Sequence, residues 1–301
     1  MTTALLPATR AVSELAGTLP EPFDAEQAAA DHYDLFHLNV FPYASLFLDA
    51  AGQLGGPATD AARRLFLQAG YAADTARESA DHVGHALGLL AFLSGAEADA
   101  WEDGLADEAA RMQRLQRRFF DAFLLWWLPA FAYAVRRHNH PFYTPLSDLT
   151  LDLALDHRTA LGPSEEAAEP GLPLPDPLAL LDEAKTGLKD IADYLTTPAW
   201  SGLYLSRADI GRLGRAEHLP RGFGARALML ANLLRAAADF DCLDPLLTQL
   251  QDLVTAWQSY YQTLAERPVP GLGVVTKVWL VRLDLTKRMI DRMHKASDFG
   301  F

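Results

Sequence analysis

The chain has 301 residues, half of them hydrophobic, with a formal charge of -13, a pI near 5.1 and one cysteine. That is enough apolar material for a core without covalent staples, and Cys242 alone excludes an intrachain disulfide and a cysteine-based zinc site, which fits a reducing compartment. The acidic balance opposes binding to phosphate backbones, which needs a concentrated basic surface, and favours cationic partners instead.

In chain order, the first 23 residues read as an N-terminal arm with no early basic cluster and no long apolar run, so no secretory signal is expected and the protein is expected in the cytoplasm. Apolar residues then recur at three- and four-residue spacing, and alternating Val/Ile/Thr runs are missing, so the expected fold is all-α. Helices are predicted over Asp24–Asn39, Pro42–Ala50, Pro57–Gln68 and Thr75–Leu93, the last stopped by Ser94-Gly95. A long helical element follows from Glu97 to Arg137, in which Pro129 either kinks the helix or ends one and starts another. Adjacent helix positions point about 100° apart, yet core packing is the expectation for both Trp126 and Trp127, with Trp126 at a rim or interface and Trp127 inside as the alternative. The run Phe119–Val135 carries Asp121 and Pro129 and is shorter than the ~20 residues that cross a bilayer, so no membrane insertion is expected.

One more helix is predicted over Pro141–Ala160. Residues 162–177 are rich in proline and acid and read as an exposed loop or linker dividing a first helical part, 24–161, from a second, 178–301. In the second part, helices are expected over Pro177–Leu195, Phe223–Asp239, Leu243–Ala265 and Val274–Lys295. Ser206-Arg207-Ala208-Asp209 has the form of a capping box opening a short helix.

The densest chemistry is Glu78-Ser79-Ala80-Asp81-His82, followed by Leu87, Leu90 and Leu93. On a helix, Glu78 and His82 stand four apart with Asp81 between them, lining a groove whose floor the leucines form. Carboxylates beside an apolar floor suit a basic, apolar peptide. A metal centre is the competing reading, because Glu78, His82 and His85 would share a helical face and Asp34 and His37 lie one turn apart. Yet no Glu-x-x-His pair of a di-iron bundle occurs, so no metal or cofactor is expected. Nucleophile elbows and phosphate-binding glycine loops are missing too, so no catalytic residue is assigned. A scaffold for an unrelated partner is the third possibility.

Glu78, Asp81, His82 and the three leucines match the Glu-Pro-x-Asp-His motif and following leucine-rich helix of the TorD/DmsD/NarJ family, which this chain resembles. Ser79-Ala80 stands where the family carries proline. Phe119, Leu124 and Trp127 match a second family helix, with Phe123 in place of its histidine, and Phe41–Phe47 is similar to the family's Pro-Tyr-x-Ser segment. The resemblance spans Asp24 to about His157, and the stretch from Tyr194 through Leu230 is similar to the later half of longer members. It implies a TorD-like helical bundle, as one large domain or two closely packed halves, and a non-catalytic cytoplasmic chaperone. The implied client is a molybdopterin oxidoreductase precursor with its twin-arginine signal peptide; a homodimer is also compatible. In that reading Glu78 and Asp81 attract the client's basic residues and His82 orients Asp81 or bonds client backbone. Tyr43, Phe47, Leu87 and Trp127 form or support the apolar floor.

Overall fold

The computed structural model of the chain describes residues 10–19, 21–163, 174–220 and 222–297. Residues 1–9 of the expected arm and 164–173 of the expected linker lie outside the described residues. The described residues are all-α; they contain no strand, only one isolated antiparallel bridge between Tyr43 and His82. Two compact units divide the chain, and neither is continuous in sequence: the first comprises Met1–Ala44, Thr59–Ala168 and Val269–Gly271, the second Ser45–Ala58, Glu169–Pro268 and Leu272–Phe301.

The first unit opens with α1 (residues 10–16) and α2 (Ala25–Tyr33), which continues into a π turn, Asp34–Asn39. Asp24 starts α2 because its carboxylate accepts the N–H groups of Glu26 and Gln27, two donors that would otherwise lack partners. Most of α4 (Pro57–Ala69) belongs here, followed by α5 (Val83–Glu102) and α6 (Ala106–Phe119), which pack together as a hairpin. A second π turn, Phe120–Leu124, leads into α7 (Leu125–Arg136), which packs on α8 (Tyr143–Ala160).

Three expectations need correction. Helix α5 does not begin at Thr75: residues 75–82 form turns, and the helix starts after His82, whose ring caps it. Nor do Ser94 and Gly95 stop it. The hydroxyl of Ser94 finds a side-chain acceptor on Gln116, so neither residue has to break the helix, which runs on to Glu102 and turns off at Gly104. There φ is +73°, and the N–H of Leu105 reaches back to the carbonyl of Ala100, closing the helix end. The predicted element Glu97–Arg137 is therefore two helices broken at Gly104, not one interrupted by Pro129. Pro129 sits inside α7, one turn after the π turn, in which the N–H of Leu125 reaches five residues back to Phe120. Trp126 and Trp127 are both buried, as expected of core packing for the pair, because α7 is covered on every face from Leu125 to Ala132. The Trp126 indole N–H donates to the carbonyl of Asp121, 2.8 Å away in the π turn.

A buried ion pair ties α8 to that turn. Arg158 grips Asp121 with Nε at 2.7 Å and Nη2 at 3.0 Å, and its Nη1 donates to the carbonyl of Gly162.

The second unit takes α3 (Ser45–Leu48) from early in the chain and packs it on α11 (Pro198–Ser201). The predicted helix Pro42–Ala50 is thus only one turn long. The predicted Pro177–Leu195 helix is likewise divided, into α9 (Pro177–Asp182) and α10 (Leu188–Thr196), with Asp176 and Asp190 securing the two starts. The capping box at Ser206 is present: its hydroxyl and N–H engage Asp209 to open α12 (Arg207–Ala216). Helices α13 (Arg226–Asp239), α14 (Leu243–Ala265) and α15 (Leu272–Ser297) complete the unit, with α13 on α10 and α15 along α14. Trp257, Tyr261 and Trp279 are buried between the last two. Gly202, at φ +81°, lies so close to α15 that a Cβ there would stand 2.9 Å from the backbone nitrogen of Leu283, so only glycine fits. None of the described helices is long and apolar enough to cross a membrane.

Candidate functional site

The site belongs to the first unit and is organised by the loop ahead of α5. Two backbone hydrogen bonds, Ala44 N–H to the Asp81 carbonyl (3.0 Å) and Val83 N–H to the Pro42 carbonyl (2.9 Å), fasten residues 42–44 to residues 81–83. This fixes Tyr43 beside His82, their rings 5.1 Å apart edge to face. The Tyr43 hydroxyl donates to Glu78. Burial and the neighbouring Glu78 carboxylate both push the Tyr43 phenol upward from its ordinary range, so it stays a donor.

His82 Nδ1 accepts the N–H of Gly84 at 3.0 Å, which places the ring at the N-terminus of α5 as its cap. An imidazole nitrogen that accepts a hydrogen bond carries no proton, so the neutral tautomer has its hydrogen on Nε2. Burial, aided by His85 and His32, lowers the His82 pKa, and Glu78 and Asp81 oppose that shift.

Asp81 is 0 % exposed. Its Oδ1 accepts the hydroxyls of Thr59 at 2.8 Å and Ser79 at 2.5 Å, which joins the turn to α4 from within. The sequence places Glu78, Asp81 and His82 on one helical face; in the turn they diverge. Glu78 remains partly exposed, His82 lies at a cavity edge, and Asp81 points into the protein. Their different partners explain why no helix forms here: Ser79 and His82 make local bonds that compete with an intrahelical ladder, and Tyr43 and Thr59 hold Glu78 and Asp81 from elsewhere in the chain.

Next to His82 opens an apolar cavity of about 230 Å³. One wall is Val83 and Leu87 of α5, and Leu87 is 37 % exposed at its edge. The opposite side is Leu128, Phe131 and Val135 of α7. Helix α2 contributes His32 and the π turn after it Phe36, and α8 brings Tyr143, Leu146, Ser147 and Thr150. Aromatic contacts stiffen the lining: Phe36 meets the edge of Tyr143 at 5.0 Å, and its ring lies 6.3 Å from Phe131. Trp127 is 0 % exposed and stands behind the lining, 5.9 Å from Phe131 and 6.2 Å from Phe123. Phe47 belongs to the second unit, buried and stacked 4.9 Å from Tyr204.

Sequence reasoning reached His82 and Leu87 but missed the α2 and α8 sides of this cavity. His32 and Phe36 are one helical turn apart, with rings at 5.1 Å, and that aromatic spacing was the available signal. Tyr143 and Ser147 on α8 show the same spacing but lie more than sixty residues from the motif. The metal reading finds no support in the geometry: His85 is one turn into α5, Glu78 is outside the helix and held by Tyr43, and among the described residues no three metal-ligating side chains gather. What the site offers is a carboxylate, a neutral imidazole and an adjoining apolar, aromatic-lined recess.

Residues 4–133 match the family model described as nitrate reductase delta subunit. No curated protein and no solved structure matches the chain.

Proposed function

We propose that this chain, which belongs through residues 4–133 to the TorD/DmsD/NarJ family of molybdoenzyme chaperones, holds the twin-arginine signal peptide of one molybdopterin oxidoreductase precursor in the cytoplasm until cofactor insertion is complete. The family is one of non-catalytic chaperones acting in molybdoenzyme maturation, which sets the class of partner. The finer reading rests on one observation: Glu78, bonded to Tyr43, stands beside His82, and His82 borders the apolar cavity. A peptide that joins arginine to an apolar run has matching parts. Its guanidinium pairs with the Glu78 carboxylate, and a following apolar side chain leaves water for the recess between Leu87, Phe36 and Phe131.

In this assignment Tyr43 aims the carboxylate and His82 presents its Nε2 hydrogen to client backbone. Asp81, bonded to Thr59 and Ser79, keeps the turn in shape and adds negative field without touching the peptide. Trp127 supports the recess from behind, and Phe47 anchors its own segment on Tyr204.

Titration with a synthetic signal peptide tests the reading. Glu78→Gln is expected to weaken binding about tenfold and to flatten its dependence on salt, since one charge-assisted pair is lost. A Glu78→Gln protein with the affinity and salt slope of the wild type would remove this residue from the site. Equal binding of a peptide whose two arginines are replaced by glutamine would overturn the reading as a whole.

A further inference from the structure

The second unit carries a different unpartnered surface. One side of α15 packs on α14, α9 and α11 through residues such as Trp279, Leu283 and Met289. Its other side lines an open groove of about 550 Å³ with Ala265 at one end. Leu280 and Val281 form the apolar centre of this side, with Val281 exposed. Lys277 stands one turn before that centre and Asp284 one turn after it, with Gly273 and Arg288 a further turn out on either side.

These residues are complementary to themselves. An antiparallel copy of the helix, related by a two-fold axis between Leu280 and Val281, sets each residue opposite the one equally far from the midpoint. Leu280 then meets Val281, Lys277 meets Asp284, and the long Arg288 passes over Gly273, which has no side chain to obstruct it. Every contact occurs twice, as a two-fold interface requires. Lys277 is exposed and has no ion-pair partner among the described residues, while Asp284 pairs with Arg288 of its own helix, where both remain about half exposed. Asp284 therefore keeps an oxygen for a second cation. A parallel arrangement would instead place like charges level with each other.

From this we propose that α15 is a dimerisation surface whose partner is a second copy of this chain, paired antiparallel through Leu280 and Val281 and flanked by two Lys277–Asp284 ion pairs. The contact runs along about 22 Å of helix. A ridge of that length buries less than the roughly 800 Å² per partner of a standard stable interface, so the dimer is a weak, reversible one. The proposed contact uses no residue of the peptide site, which belongs to the first unit.

Sedimentation equilibrium of the full chain, with two single variants and their mixture, tests it. Wild type is expected to dimerise reversibly. Lys277→Glu and Asp284→Lys should each weaken self-association about tenfold or more, because each turns both attractive pairs into repulsive ones. Mixing the two variants restores opposite charges at both positions, and a heterodimer at least as tight as the wild-type dimer should return. That recovery also shows that neither variant failed by misfolding. A wild type that stays monomeric at several hundred micromolar overturns the proposal, and so do single variants that dimerise like wild type or a mixture that remains monomeric.

Discussion

His82 joins local structure to function in one side chain. Its Nδ1 caps α5 only while unprotonated, and the groups facing it are Tyr43, Glu78 and Asp81 from the loop, His85 from α5 and His32 from α2. Because burial lowers its pKa in the folded chain, the unfolded chain takes up the proton first, near pH 6.5. Its contribution to stability is therefore complete above that value and is lost as pH falls through it toward the lower, folded pKa. Asparagine also caps helices but does not titrate, so His82→Asn keeps the cap and removes the proton. Urea unfolding at pH 7.5 and 5.5 should show wild type losing more stability than His82→Asn by about 1 kcal/mol, the usual worth of a cap. Equal losses would mean that the ring's protonation state is irrelevant to α5.

The π turns are where helical elements depart from what a heptad or 3.6-residue pattern describes. The turn at Phe120–Leu124 adds a residue to one circuit, which presents the Asp121 carbonyl to Trp126 and its carboxylate to Arg158. Arg158 is 0 % exposed, so removing it strands a carboxylate away from water. Arg158→Met is expected to cost about 3–5 kcal/mol in chemical denaturation, and adding Asp121→Asn should recover a substantial part, since breaking a buried pair costs more than replacing it. A loss below about 1 kcal/mol in the single variant would show that water or another group takes over from the guanidinium.

At the scale of the whole molecule, the all-α class and the existence of most helices were legible in the spacing of leucine and alanine. What escaped was set by particular partners distant in sequence. Ser94 and Gly95 read as a stop until Gln116 is placed across from them, and the Glu78–His82 stretch reads as helix until Thr59 and Ser79 claim Asp81. The cavity was half legible, because Leu87 and His82 adjoin the motif whereas Tyr143 reaches it from a helix that carries no such signature. The two-unit organisation was not readable from the proline-rich segment alone, since the second unit also recruits Ser45–Ala58. Residues 169–301 expressed alone therefore lack α3, and Phe47 is missing from the ring of Tyr204. Such a fragment should melt with low cooperativity, and a synthetic peptide of residues 45–58 should sharpen its transition; a fragment that melts sharply unaided would show α3 to be dispensable.

The same interleaving bears on how the protein is made. Residues 45–58 leave the ribosome early, but the ring that receives Phe47 is encoded more than 150 codons later. While the intervening residues are being added, the nascent chain has to carry an apolar segment, Leu46-Phe47-Leu48, without its final lodging. A protein proposed to shelter the unfinished beginning of another thus starts life with an unfinished beginning of its own, and the rate at which its second half is synthesised sets how long that lasts.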